Sequence, residues 1–161
     1  MQIPDPHTEY LWLHQLVGEW VIESECIMGP DQPPMKTTGR EVVRPLGKFW
    51  TIGEVVGNSP DGGSWDSIMT LGYDPQAKRF VGTFIASMMT YLWPYKGSLD
   101  ASAKILTLDS EGPSFAGDGS MAKYQDIIEF VTPDHRTLTS RMQSADGSWH
   151  QFMTEHYRRK L

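Results

Sequence analysis

Apolar residues come in short bursts along this chain, cut by turn chemistry. The breaks fall at MGPDQPP (28–34), GNSPDGGS (57–64), YDPQ (73–76), SEGPSFAGDGS (110–120), TPDH (132–135) and SADGS (144–148). Gly, Pro, Asp and Ser close tight turns. The segments between are rich in Val, Ile, Thr, Phe, Tyr and Trp, which suit a pleated, half-buried surface. The pattern predicts strands over 19–27, 36–46, 48–57, 65–73, 78–88, 91–99, 104–110, 123–131, 136–144 and 149–158. No helical segments alternate with them, which argues against a parallel βαβ arrangement. About ten strands with short connections predict an all-β fold, an antiparallel up-and-down barrel forming a single domain over 1–161. Closure removes exposed strand edges, and ten strands leave more room inside than eight.

One helix is expected, over about 7–17. Pro6 can open it, Thr8 is the candidate N-cap, and Leu11, Leu13, Leu16 and Val17 supply apolar positions before Gly18 stops it. A helix this short is not stable alone in water. It must pack on something, most simply across an open end of the barrel.

Within each strand, alternation separates two faces. In 19–27, Trp20, Ile22, Ser24 and Cys26 share the face expected inside, against Glu19, Glu23 and Glu25. In 48–57 the inward set is expected to be Trp50, Ile52, Glu54 and Val56. In 65–73 it is Trp65, Ser67, Met69, Leu71 and Tyr73, and in 91–99 Tyr91, Trp93 and Tyr95 form an aromatic rung. In 149–158, Trp149, Met153, Glu155 and Tyr157 oppose His150, Phe152, Thr154 and His156. Strand 78–88 is apolar on both sides, with Phe80, Phe84, Ala86 and Met88 against Val81, Ile85 and Met89. Either the helix or a second copy of the chain is expected to cover its outer side, so a homo-oligomer is a candidate assembly.

The chain carries 14 Lys and Arg against 20 Asp and Glu, a net charge of −6, with no basic block. It therefore lacks the footprint of a nucleic-acid binder. No apolar run is long enough to span a membrane, and MQIPDPHTEY lacks the basic head and apolar stretch of a secretory leader. The one cysteine, Cys26, cannot form an internal disulfide, so a reducing, cytoplasmic setting is expected. Nine Met and six Trp point to a soft, aromatic-rich interior or to a cavity for an apolar or aromatic ligand.

Two carboxylates, Glu54 and Glu155, share faces with apolar residues. A buried carboxylate needs a partner or a proton, and Arg141 is the candidate partner. The group reads as a structural ion pair or as a polar anchor for a ligand. Were the cavity catalytic, Glu54 would be the candidate acid or base. The candidate ligand-binding set is Trp20, Trp50, Glu54, Met69, Tyr73, Phe84, Met88, Trp93, Arg141 and Glu155. His150 and His156 fall about 20 Å apart along one strand face, and His7 and His14 are two helical turns apart. With no HxH, HExxH or Cys/His cluster, no metal site is expected. Cys26 reads as a buried inert thiol.

Leu13-x-x-Leu16-x-Gly18-x-Trp20 resembles the opening of calycin-type barrels, where a short helix leads into a Gly-x-Trp first strand and the Trp plugs the barrel end. The run MTLGYDPQAKRFVGTFIASMMTYLWPYKGSLD (69–100) and the closing SADGSWHQFMTEHYRRK resemble a bacterial family known as domain-of-unknown-function family 1579, over essentially the whole chain. The resemblance implies a calycin-like (lipocalin-like) barrel with a central cavity, and no established activity. Nitrobindin-like haem barrels share the opening but continue with further glycines, where this chain has Val21, Ile22 and Glu23. They hold haem through a histidine on a late strand, whereas alternation sets His150 and His156 opposite Trp149 and Met153. The expectation is a barrel that binds a small apolar or aromatic molecule without a cofactor. A structural dimer whose cavity is simply filled, an acid–base enzyme and a haem-binding barrel are the alternatives.

Overall fold

The computed structural model describes residues 7–161. The helix-opening role expected of Pro6 lies outside the described residues. After helix α1 (Thr8–His14) come strands β1 (Gly18–Cys26), β2 (Met35–Leu46), β3 (Trp50–Asn58), β4 (Ser64–Asp74) and β5 (Arg79–Ala86). Strands β6 (Trp93–Leu99), β7 (Ile105–Pro113), β8 (Met121–Thr132), β9 (His135–Gln143) and β10 (Trp149–Arg159) follow. Each strand pairs antiparallel with the next, and β10 returns to β1, closing the barrel.

Closure gives the sheet one inner face, and alternation along each strand decides what it carries. In β1, Trp20, Ile22 and Ser24 are buried while Glu19, Val21, Glu23 and Glu25 face out. In β4 the inner set is Trp65, Ser67, Met69, Leu71 and Tyr73, as its alternation predicts. β3 is out of phase with the expectation. Thr51 and Val55 are buried inside with Gly53 between them and Gly57 beyond, and Trp50, Glu54 and Val56 face out, Trp50 42% exposed. The cause lies across the strands. A Cβ at Gly57 would collide with the Trp65 ring, and one at Gly53 with the Glu41 carboxylate. The small inner residues of β3 make room for large neighbours, while Trp50 lies over Gly72 on the outer surface.

β10 departs from alternation through a bulge between Gln151 and Met153. The extra residue puts both Phe152 and Met153 on the barrel interior. Trp149 turns out instead and stacks under the Arg141 guanidinium, 4.9 Å from its ring centre.

Helix α1 lies across one end of the barrel. His7, not Thr8, is the N-cap, in extended conformation and with no side-chain cap bond. Tyr10, Trp12, Leu13 and Leu16 are the buried positions, and Leu11 is 64% exposed. Trp12 packs edge-on against Phe80 and Phe130 and donates from Nε1 to the Ala103 carbonyl at 2.7 Å. Lying at the end, the helix leaves the outer face of β5 uncovered, and Ile85 there is 44% exposed.

The Gly-x-Trp opening has a local physical reason. Trp20 is 1% exposed, donates from Nε1 to the Leu16 carbonyl at 2.8 Å, and sits between two guanidinium groups. Arg136 lies 4.5 Å and Arg159 4.2 Å from its ring centre. Arg159 also binds the Gln15 and Val17 carbonyls at 3.0 and 2.8 Å, satisfying acceptors that the short helix leaves open. Gly18 has φ +136, and a Cβ there would sit 2.6 Å from Arg159 Nη1. Only glycine fits both demands.

Candidate functional site

Helix, Trp20 and the aromatic residues around them fill the α1 end, and the other end stays hollow. A cavity of about 300 Å³ runs from mid-barrel to the loops opposite α1. Its floor is Glu41, Met69, Leu138 and Tyr157, which also bound a void of about 20 Å³ beneath. Val55, Trp65, Ser67, Phe84, Trp93 and Tyr124 contribute to the walls, and Met35, Met88, Met89, Phe115 and Phe152 stand around the mouth. The mouth is an aromatic cluster: Phe115 packs edge-on against Phe152 and Tyr124, and Trp93 against Tyr124. Trp93 lies flat over Gly112, where a Cβ would collide with its ring, and its buried Nε1 has no hydrogen-bond partner among the described residues.

The polar groups converge near the floor. Arg136, 3% exposed, is ion-paired with Glu41, and its guanidinium stacks 4.0 Å from the Tyr157 ring centre. Asp126 accepts hydrogen bonds from Tyr95 and from Ser140, the latter at 2.6 Å. Glu155 is buried and accepts from the Tyr157 hydroxyl at 3.3 Å. Burial pushes the Glu155 carboxyl up to about 7, helped by the like charges of Glu41 and Asp126. Burial also raises Asp126, against the opposing pull of the Ser140 and Tyr95 hydroxyls. The Tyr95 and Tyr157 hydroxyls are pushed up strongly by burial and by the neighbouring Asp126 and Glu155 respectively. Cys26 borders the cavity, its thiol raised by burial and then by Glu155.

Of the candidate set, Met69, Phe84, Met88, Trp93 and Glu155 border this cavity. Trp20 lies below it and Tyr73 at the α1 end, against Phe80 and under the Tyr10 ring. Trp50, Glu54 and Arg141 are corrections, because all three lie on the outer surface. Glu54 faces Arg44 at 3.9 Å with both side chains more than half exposed, so it is no cavity acid or base. Arg141 donates to Gln125 Oε1 at 2.8 Å and cannot partner Glu155.

Sequence reasoning missed Glu41, Arg136 and Asp126. Each had a signal: Asp126 shares its face with Tyr124, Ile128 and Phe130, Arg136 with Leu138 and Ser140, and Glu41 with Val43. His156 stacks on His135 outside the barrel, with Nδ1 3.0 Å from the His135 Nε2. His150 is exposed and bonds Ser148. Among the described residues no three His, Cys, Asp or Glu side chains are grouped to hold a metal ion, and no helix is long and apolar enough to cross a membrane.

A closed ten-strand up-and-down barrel, capped by a short helix at one end and hollow towards the other, is the architecture of the calycin-like, or lipocalin-like, barrels. The chain belongs to the family described as "Protein of unknown function (DUF1579)", whose model matches residues 5–159. Rv2717c from M. tuberculosis, known from a crystal structure, superposes with a TM-score of 0.62 at 13% identity, covering 98% of this chain and 100% of that one. The S-type phycobiliprotein lyase CPES from Guillardia theta gives 0.58 at 14% identity, over 97% and 99% of the two chains. EF1p2_mFAP2b, solved bound to DFHBI, gives 0.51 at 14% identity, over 94% and 98%. At these identities the likeness is one of fold. No curated protein matches the sequence.

Proposed function

We propose that the protein binds a small, largely apolar or aromatic molecule inside the barrel. One observation carries the reading: a cavity of about 300 Å³, reaching the loops opposite α1, walled by Met and aromatic side chains and floored by a few polar groups. That combination is the usual form of a small-molecule site, apolar walls for affinity and few polar groups for orientation. The similarity in fold to a barrel solved with DFHBI bound supports it. The proposal includes no resident cofactor.

A thermal-shift screen with small neutral aromatic and aliphatic compounds tests the reading. A ligand at 100 times its Kd stabilises by about 2.7 kcal/mol. Ser67, buried on the cavity wall, is the blocking position. Ser67→Phe places a ring in the cavity and should abolish the shifts without unfolding the barrel. Shifts of equal size in wild type and Ser67→Phe would mean that binding is elsewhere.

A second reading rests on Glu155. A carboxyl held at about 7 is suited to give and take a proton near neutral pH, so the cavity can serve acid–base chemistry. On this reading Glu155, not Glu54, is the group that exchanges the proton. Any turnover found would fall in Glu155→Gln and persist in Glu54→Gln.

A further inference from the structure

Charge inside the cavity is not balanced. Three carboxyl groups, Glu41, Asp126 and Glu155, border it. Among the described residues one guanidinium stands beside them, Arg136: it is ion-paired with Glu41 through Nη2 and stacked against Trp20 and Tyr157, and its buried Nε makes no hydrogen bond there. Among the described residues Asp126 has only neutral partners, the Tyr95 and Ser140 hydroxyls. Glu155 is only 8% exposed, accepts one bond at Oε1, and makes none through its other oxygen among the described residues. A buried carboxylate without a cation is costly, so it either keeps a proton or finds positive charge. Trp93, Tyr124 and Phe84 line the same cavity, and aromatic rings attract cations.

On the reading that this cavity holds a small molecule, we propose that its ligand is an amphiphilic organic cation, an ammonium group on a compact aromatic or aliphatic body. The ammonium faces Glu155 in the field of Asp126, and the body lies against Met69, Phe84 and Met153. A volume of about 300 Å³ lies at the small end of ligand pockets, which sets the scale of the body. A carboxylate ligand would meet two carboxyl groups without a cation of their own, and an arginine whose charge is already paired with Glu41. A neutral alcohol can hydrogen-bond but leaves the imbalance standing.

Binding of an amine here carries a pH signature. The charged and titratable groups around Glu155 are Glu41 on β2, Asp126 on β8, Arg136 on β9, Tyr157 on β10, Tyr95 on β6 and Cys26 on β1. An alkylamine stays cationic to about pH 10, whereas Glu155 loses its proton near 7. Affinity for the amine therefore rises from pH 6 to pH 8, and at pH 7 binding expels about half a proton from Glu155.

Calorimetric titration of the full chain with 2-phenylethylamine, 2-phenylethanol and phenylacetate at pH 6, 7 and 8 tests this, using two buffers of different ionisation enthalpy to count protons. The amine is expected to bind about tenfold tighter than the alcohol at pH 8, with phenylacetate weakest. Glu155→Gln should lose the amine preference and its pH dependence while keeping alcohol binding. Should that variant fail to fold, Asp126→Asn is read in the same series and should narrow the preference. An alcohol that matches the amine at pH 8, or phenylacetate binding tightest, overturns the cation and leaves the small-molecule reading standing. No binding by any of the three, together with no thermal shift from neutral compounds, overturns both.

Discussion

Replacing Glu155 by Gln keeps the side chain's shape and removes its charge. In the folded barrel the carboxyl is held at about 7 against an ordinary 4.5, because burial strips its water and Glu41 and Asp126 add like charge. Between those two values the folded protein retains a proton that the unfolded chain has released. Stability therefore falls as pH rises from about 4.5 to 7, and this contribution is flat above that. At about 1.36 kcal/mol per pH unit, the full window costs the wild type roughly 3 kcal/mol at pH 8. Gln escapes that cost. Wild type and Glu155→Gln are expected to be equally stable near pH 4.5. The variant should gain with pH, by up to roughly 3 kcal/mol at pH 8, which for a chain of this size is about 6–12 °C in Tm. Urea unfolding at pH 4.5, 6, 7 and 8, followed by tryptophan fluorescence, reads the difference as a shift in midpoint at unchanged slope. A difference independent of pH, or one that grows towards acid, would refute the reasoning.

Other perturbations separate the parts of the account. Arg136→Met removes the buried partner of Glu41 and should cost about 3–5 kcal/mol in the same urea assay; a neutral result would mean that the buried pair does not hold the barrel interior together. Gly18→Ala forces a side chain into a left-handed backbone and against Arg159, and should cost about 1–3 kcal/mol. Thermal denaturation will show it, and an unchanged Tm would contradict the packing described for the barrel end. Glu54→Gln and Arg141→Gln lie outside the barrel and should leave ligand-induced thermal shifts untouched, with stability within about 0.5 kcal/mol of wild type.

Strand positions were legible because the turns are written in Gly, Pro, Asp and Ser, and all ten predicted strands overlap strands of the barrel. Inner and outer faces were legible wherever one face is clearly apolar, as with Trp20 and Ile22 against Glu19 and Glu23. β3 defeated the reading because its inner face carries Thr51, Gly53, Val55 and Gly57, small residues chosen by what lies across from them. No single-strand pattern shows that Gly57 makes room for Trp65, or that Trp50 covers Gly72 from outside. The β10 bulge is likewise invisible to strict alternation, so Trp149 and Phe152 exchanged faces. Glu155 was legible as an inward carboxylate, but its company was not. That Glu41, Asp126 and Arg136 reach the same interior depends on how β2, β8 and β9 are staggered around the barrel. The paired arginine is Arg136, whose face includes Leu138 and Ser140, and Arg141 belongs to the opposite one.

The methionines offer the most direct test of the central claim, that the cavity opposite α1 receives a small molecule. Met35, Met69, Met88, Met89 and Met153 border it, whereas Met28 and Met121 stand outside on the surface. In a protein labelled with 13C at the methionine methyls, titration with 2-phenylethylamine should move the Met69 and Met153 signals saturably. Met28 and Met121 should stay still. Saturable shifts confined to Met28 and Met121, or no saturable shift at Met69 and Met153 with any small apolar compound, would contradict the account.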